Sequence, residues 1–582
     1  MKYNILNKIL DKISKDAPQE HVKYKLTKDN ETNNQIRAKC LIHLFLMVRF
    51  GIHDFKEREK FITEGGYDGG IDAYYTDTVN KIVYIIQSKY RTTEDNFENK
   101  EITIDEIIKM DIGRILRGEK TDEIGNNYNG KISGFQRIYS ELPEQGLYQR
   151  KVIFLCNLSG YQDEQIKRLI DNFDFEIFDH KKTYEKLVFP LLISTYFDPE
   201  SLDISINLDN KEAPHLKQKI TTKLGNFDII VVFVPTYEIA KVMSKYKNAL
   251  LVFNPRNYLS LEKNEVNKEI KKSILEFDTG EFAIFNNGIT IFADAAGVNT
   301  SSGRQDIGTV TIRKPQIING GQTAFTLSKL FDEGTLKEKF DHKEVMLKII
   351  TPSYVKASAD DDIEIITNIS KSTNKQSRIE EADMRANDSL QIELQRILFT
   401  NYGLFYERKV GEFEEATQKG FIEVGNLIKR DDLIKAYLSY KGEPGQAKNA
   451  KKDSLFENNK FYTIYNSIDD VDKICLSIKL FKKITILENQ HKKNKDYNLA
   501  VYGHALKYGK NAMIYMYSLL FENNIDDNFI DENIQKMLNN WNDFEQKIIS
   551  DSDGKSIFND YRNSSISEKI KSYAPIMKKN IG

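Results

Sequence analysis

The sequence predicts a multidomain α/β protein, and three observations carry that prediction. Runs with the character of buried strands, such as Lys151–Asn157 and Phe227–Val234, alternate with segments of helical apolar spacing. The chain has 582 residues, too long for one compact core, so about two to four domains are expected. From Ser454 onward the pattern turns mostly helical with polar faces. The expected division is an α/β region over residues 1–195, a mixed α/β core over 220–450 and a helical C-terminal region over 451–582.

Taken in order, Ile5, Leu6, Ile9, Leu10 and Ile13 fall at helical spacing, and a second helix is expected over Asn34–Phe50, stopped by Gly51. Two strands, Ile71–Tyr75 and Lys81–Tyr90, are joined by the turn Thr76–Asn80. A polar stretch spans Asp122–Gly134. Lys151–Asn157 then reads as a buried strand, Gln162–Phe173 as a helix and Phe175–Phe178 as a further strand. Phe227–Val234 is a buried strand ended by Pro235, and Gly442–Asn449 reads as a loop.

Composition excludes several classes. Hydrophobic residues at 40% and charged residues at 29% exclude wholesale disorder. With 84 Lys+Arg against 86 Asp+Glu, the net charge of −2 excludes a globally basic nucleic-acid coat but leaves room for a local groove. Cys40, Cys156 and Cys475 are too scattered for a disulfide framework or a cysteine zinc site, which fits a reducing cytoplasm. The N-terminal residues lack the apolar stretch of a signal peptide, and no run of about 18 apolar residues is present, so no membrane partner is expected.

The richest segment is Glu64-Gly65-Gly66-Tyr67-Asp68-Gly69-Gly70-Ile71-Asp72, followed by Gln87-Ser88-Lys89. Alternate strand residues share a face, so Gln87 and Lys89 emerge together at a strand end, and a short turn brings Asp72 to within a residue or two of Gln87. An acid, an amide and a lysine at the rim of a sheet suit a hard cation. Asp72 would give a carboxylate oxygen to Mg²⁺, and Lys89 would offset charge building on a phosphate. The segment resembles the restriction-endonuclease-like nucleases, specifically the Mrr-type branch with its glycine-rich lead and Asp…Gln-x-Lys signature, over about the first 190 residues. The resemblance implies that Asp72 and Lys89 are the core catalytic pair and that Gln87 stands in for a second acidic metal ligand. It also implies an upstream glutamate, for which Glu31 and Glu64 are the candidates; Asn34–Phe50 contains none. Mg²⁺ is the implied cofactor, with Mn²⁺ as an alternative. The competing reading of Asp72 and Lys89 is an ion pair at the sheet edge.

A second block comprises Phe285-Asn286-Asn287-Gly288 and Pro315-Gln316-Ile317-Ile318-Asn319-Gly320-Gly321-Gln322-Thr323-Ala324. A Gly-Gly turn into a helix start can bind an anion, although it is also an ordinary left-handed turn. Leu251–Leu259 precedes this block. Thr367-Asn368, Asn374-Lys375-Gln376, Asp383–Asp388 and Tyr406-Glu407-Arg408-Lys409 follow it. The ordered set resembles the AIPR (abortive infection phage resistance) family over about residues 220–440, which implies bacterial anti-phage defence. For the core, Asn286, Asn287, Asn319, Gln322, Thr323, Asn368, Arg408 and Lys409 are candidates for binding nucleic acid or a nucleotide. The alternative is that these polar residues serve turns and caps inside the core.

Other signals carry less. Gly125–Lys131 has P-loop glycine and lysine spacing, but Ile132 stands where Ser or Thr must bind Mg²⁺, so a surface loop is expected. His43 reads as a satisfied core histidine and Trp541 as a packing residue. The expected function is a cytoplasmic anti-phage protein whose metal-dependent endodeoxyribonuclease is controlled by the AIPR core. The rivals are an RNase using the same site and a non-catalytic sensor or scaffold binding nucleic acid or phage protein. DNA is the expected partner, with a phage-derived trigger and a homodimer that would suit double-strand cleavage.

Overall fold

Apolar residues three and four apart make helix α1 (Lys2–Lys15), which buries Ile5, Leu6, Ile9, Leu10 and Ile13. In α2 (Asn30–Phe50) the Asp29 side chain accepts the Thr32 N–H, and Gly51 ends the helix in the left-handed region at φ 64°. The helix therefore starts four residues earlier than its apolar pattern suggests, because the cap lies outside that pattern. Glu31 falls in its first turn. A short α3 (Phe55–Glu59) follows, capped by Asp54.

The computed structural model describes residues 1–78, 80–104, 107, 110–158, 161–197, 202–208, 214–223, 225–254, 265–276, 279–299, 308–334, 340, 342–353, 365, 369, 381–451, 454–457, 470–550 and 557–581. Two compact units divide it: Met1–Thr373 with Gly411–Glu423, and Asn374–Val410 with Val424–Gly582. Segments 1–195 and most of 220–450 thus share the first unit.

The first unit opens with a four-stranded sheet of β1 (Ala73–Asp77), β2 (Ile82–Ser88), β3 (Gln149–Leu155) and β4 (Asp174–Phe178), in that spatial order. β1 is antiparallel to β2, while β2, β3 and β4 run parallel. Between β2 and β3 lies α4 (Gly130–Ser140), and between β3 and β4 lies α5 (Asp163–Leu169). The polar stretch expected to continue to Gly134 gives way to α4 at Gly130, because the Asn129 side chain accepts the N–H groups of Lys131 and Ile132. Strand alternation gives the sheet two apolar faces. Tyr74, Val83, Ile85, Val152 and Phe154 pack with Phe135 of α4 and Ile166 of α5. On the other face, Phe50 of α2 stacks on Tyr75 at 4.0 Å between ring centroids, and Phe45 meets Phe178 at 5.2 Å.

The same unit continues with β5 (Asp203–Asn207), β6 (His215–Thr222), β7 (Gly225–Pro235), β8 (Ile289–Phe292), β9 (Ala295–Asn299), β10 (Thr309–Arg313), β11 (Gln316–Asn319) and β12 (Glu344–Pro352). One sheet has the order β5-β10-β9, the other β11-β8-β12-β7-β6. Helices α6 (Thr236–Tyr246) and α7 (Gly321–Asp332) share a buried core with the larger sheet through Ala240, Met243, Ala324 and Leu327.

In the second unit, β13 (Phe405–Glu407) pairs in parallel with β14 (Leu427–Lys429). Among the described residues the other elements of this unit are helical, including a 24-residue helix over Val471–Asn494. Trp541 is fully buried and donates its indole N–H to Tyr561 Oη at 2.7 Å. Gly442–Asn449 is not a simple loop, since Pro444–Asn449 is helical. Proline suits the first helical turn, where no N–H bond is needed, and Gly445 lets the helix approach the Asn563 carbonyl. No helix among the described residues is long and apolar enough to cross a membrane.

Phe135 is fully buried and stacks on Tyr74 at 4.2 Å. Phe135→Ala should cost about 3–5 kcal/mol in urea unfolding followed by circular dichroism. A loss under about 1 kcal/mol would mean that this helix does not anchor the sheet.

Candidate active site

The glycine-rich lead is a clamped loop. Asp68 bridges it, accepting the Gly65 N–H at 3.1 Å on one carboxylate oxygen and the Gly70 N–H at 2.9 Å on the other. Asn129 donates its amide to Thr63 O at 3.2 Å and Gly66 O at 3.3 Å, while its backbone N–H reaches Tyr67 O. Gly69 has φ 64°, and a Cβ there would stand 2.7 Å from Ile115 Cδ1, so glycine is required. The loop delivers the chain to Asp72, whose carbonyl accepts the N–H groups of Thr63 at 2.9 Å and Glu64 at 3.0 Å.

The β1–β2 ladder pairs Ala73 with Ile86 and Tyr74 with Ile85, which continues to Asp72 opposite Gln87. Two bonds confirm that continuation. The Asp72 N–H donates to Ile86 O at 2.9 Å, and the Ser88 N–H donates to Asp72 Oδ2 at 2.6 Å. Gln87 is 2% exposed and donates its amide to Gly70 O at 2.9 Å. Lys89 lies one residue past the end of β2, where its N–H bonds Leu155 O of β3 at 3.0 Å. Asp72, Gln87 and Lys89 therefore belong to one sheet face at one end. Lys89 draws the Asp72 pKa down through space, without a direct ion pair between them. It also acts on Cys156 at the end of β3, which lies in the same core face.

Asp72 is partly buried, and burial pushes its pKa up to about 7, helped by the charges of Asp68 and Glu64 and opposed by the Ser88 N–H and Lys89. Burial also raises Glu64, against the pull of Lys39, Lys23 and Lys131. Three carboxylates thus repel one another beside a lysine, an arrangement that a cation would relieve. Glu64 is next to Asp72. Glu31 stays exposed in the first turn of α2 and is not among the charges acting on Asp72. Among the described residues, no group of three or more His, Cys, Asp or Glu side chains could hold a metal ion. Asp72 and Gln87 therefore offer two oxygen donors at most, and a cation there would have to keep most of its water.

Sequence reasoning passed over Asn129, which holds the loop. The signal for Asn129 was the Asn-Gly pair before a helical pattern, obscured by the P-loop-like glycine spacing.

In the core, Asn286 donates to Thr323 Oγ1 at 3.2 Å and accepts the Gly288 N–H at 3.0 Å, while Asn319 Oδ1 accepts the Gly320 N–H at 2.8 Å. Asn287 is exposed and Gln322 half-buried. Gly288 and Gly320 both have φ 79°, and a Cβ on Gly320 would stand 2.5 Å from Gly288 O. Two backbone turns touch there, bringing the Asn-Asn-Gly and Asn-Gly-Gly motifs together. Arg408 and Lys409 belong to the second unit and are buried. Arg408 donates to Gln395 Oε1 and Ala386 O, each at 2.7 Å, and Arg430 beside it pairs with Asp383 at 2.6 Å. Asn368 lies outside the described residues, as do Pro255–Leu259 and Asn374–Gln376.

The family model for AIPR protein matches residues 251–578, more than half of the chain. The chain belongs to the AIPR family. That membership supports a role in abortive-infection phage defence. The match takes in both glycine turns and runs on into the last helix, while β5, β6, β7 and α6 precede it. Asp72, Gln87 and Lys89 lie outside it. No curated protein and no solved structure matches the chain.

The raised Asp72 pKa makes a stability prediction for the AIPR chain in EDTA. Folded Asp72 holds its proton up to about pH 7, whereas the unfolded carboxyl releases it near 3.8, so this group lowers stability as pH rises between those values. Asp72→Asn removes the effect. Its melting temperature relative to wild type should climb from pH 4 to about pH 7 and then level off. A difference that does not vary with pH would refute a buried acid at this position.

Proposed function

We propose that this AIPR protein is a metal-dependent endonuclease that hydrolyses phosphodiester bonds in DNA, with its AIPR core recognising the target or a trigger. The observation that supports the reading is the register of β1 on β2, with Asp72 opposite Gln87 and Lys89 at the strand's end. Asp72 Oδ1 and the Gln87 amide oxygen would hold Mg²⁺ or Mn²⁺. When bound, such an ion supplies an activated water and neutralises charge on the phosphate. Lys89, not committed to a carboxylate at the site, would meet the charge that develops on the phosphate oxygens. The Ser88 N–H keeps Asp72 in one orientation, and Asp68 with Asn129 keeps the loop that carries it from shifting. In the core, the paired turns at Asn286 and Asn319 are the part we assign to contact with nucleic acid or a nucleotide. A role in phage defence gives such cleavage a purpose, since loss of nucleic acid halts an infection.

The test is cleavage of plasmid DNA, single-stranded DNA and RNA with Mg²⁺, Mn²⁺ or EDTA, before and after addition of phage-infected lysate. Wild type should cut DNA with metal and not with EDTA, and Lys89→Ala or Asp72→Asn should lower the rate roughly 100-fold or more. Cleavage of RNA alone would reassign the substrate. Metal-insensitive DNA binding without cleavage under every condition would replace the enzyme with a binding protein.

A further inference from the structure

A cavity of about 430 Å³ lies in the first unit, away from Asp72. Its walls come from α1, the α2–α3 connection, α6 and residues 411–423 of the same unit. Its volume falls in the range of small-molecule sites.

Most charges on its wall are matched in pairs. Lys12 meets Asp16 at 2.7 Å, Lys419 meets Glu415 at 2.7 Å, and Lys247 meets Asp332 at 3.6 Å. Lys56 turns to Glu20 at 2.7 Å. Arg58 is the wall cation without an ion-pair partner, and it is also the most deeply buried of them, at 2% exposed. Its hydrogen bonds go to neutral acceptors: Nε to His43 Nδ1 at 3.2 Å, and Nη1 to Ile52 O at 2.8 Å and His53 O at 2.6 Å. Asp54, exposed and committed to the Glu57 N–H, and Asp16, paired with Lys12, reach Arg58 only through space. The second guanidinium nitrogen, Nη2, has no hydrogen-bond partner among the described residues.

A buried guanidinium without an anion is costly, and an open arm beside a cavity is a donor waiting for an acceptor. Burial pushes the Arg58 pKa down to about 10, against the pull of Asp54 and Asp16. His43 cannot share the charge, because burial holds its pKa down to about 4. With Nδ1 accepting from Arg58, the Nε2–H is left for Tyr24 Oη at 2.9 Å, whose own hydrogen goes to Glu59 at 2.6 Å. These bonds lock the guanidinium plane and leave one edge to the cavity. Phe55, Tyr196 and Phe421 add aromatic surface to the wall.

We propose that this cavity binds a small organic anion, its phosphate or carboxylate group meeting Arg58 and its ring lying against Phe55, Tyr196 and Phe421. Guanidinium suits either anion, since both present paired oxygens. The site is independent of the proposed metal chemistry.

Isothermal titration of the full chain in EDTA with inorganic phosphate, AMP and benzoate tests it. At least one should bind with Kd below about 1 mM, and AMP or benzoate binding more tightly than phosphate would locate the ring. Arg58→Lys, which keeps the charge but loses the fork, should weaken binding tenfold or more. Because a change at a buried arginine can disturb folding, Ser244→Phe gives a second arm. Ser244 lies on the wall, where its hydroxyl donates to Asp332, and the larger ring fills the space while leaving Arg58 in place. It should abolish binding. The proposal is overturned if none of the three probes gives heat, or if their affinity is unchanged in Ser244→Phe.

Discussion

The candidate site depends on one ladder. With Ala73 opposite Ile86, Asp72 falls opposite Gln87 and its carboxylate receives the Ser88 N–H. A slip of one residue would turn Asp72 toward the face covered by α2 and separate it from Gln87 and Lys89. Packing on both faces prevents the slip. Tyr74 must reach Phe135 on one side while Tyr75 reaches Phe50 on the other, and no shifted pairing satisfies both. The same aromatic contacts that hold the sheet in its layers therefore set the geometry of the polar end.

Holding a partly buried carboxylate near two others works against stability, and the loop around it shows how the chain bears this. Asn129 caps α4 through its side-chain oxygen and pins the glycine loop through its side-chain nitrogen, so the helix start and the loop form one piece. Asp68 spends both of its oxygens on backbone N–H groups of that loop. It remains a fixed negative charge that raises Asp72 without competing for its place. Lys131 extends the arrangement, donating to Ile62 O at 2.9 Å and approaching Glu59 at 3.6 Å.

In the AIPR core, the polar motifs divide by role. Gly288 and Gly320 are demanded by backbone contact, and Asn286 and Asn319 each accept the N–H of a nearby glycine. Those bonds account for part of each asparagine, while beside the turns Asn287 is exposed and Gln322 half-buried. Arg408, by contrast, is consumed in a buried network with Gln395 and the Ala386 carbonyl. The family match includes residues of both compact units, so the sequence signature follows the chain and not one folded body.

Local patterning made much of this protein legible. Period-two and helical spacing located β1 to β4, β7, α1 and α2, and the Gln-x-Lys spacing on a strand placed Gln87 and Lys89 on one face. Apolar pattern says little about caps, which is why α2 and α4 begin where Asp29 and Asn129 put them. It also misread Gly442–Asn449, where a proline at the first helical turn starts a helix. What the sequence by itself determined was the set of local elements, the Gln87–Lys89 face and the ordered AIPR motifs, since each rests on residues near one another in the chain. Only the tertiary structure decided that Asn129 clamps the glycine loop, that Arg408 is buried and that Arg58 opens on a cavity. Those outcomes depend on residues far apart in sequence, and burial and charge balance are properties of the packed assembly that no local spacing encodes.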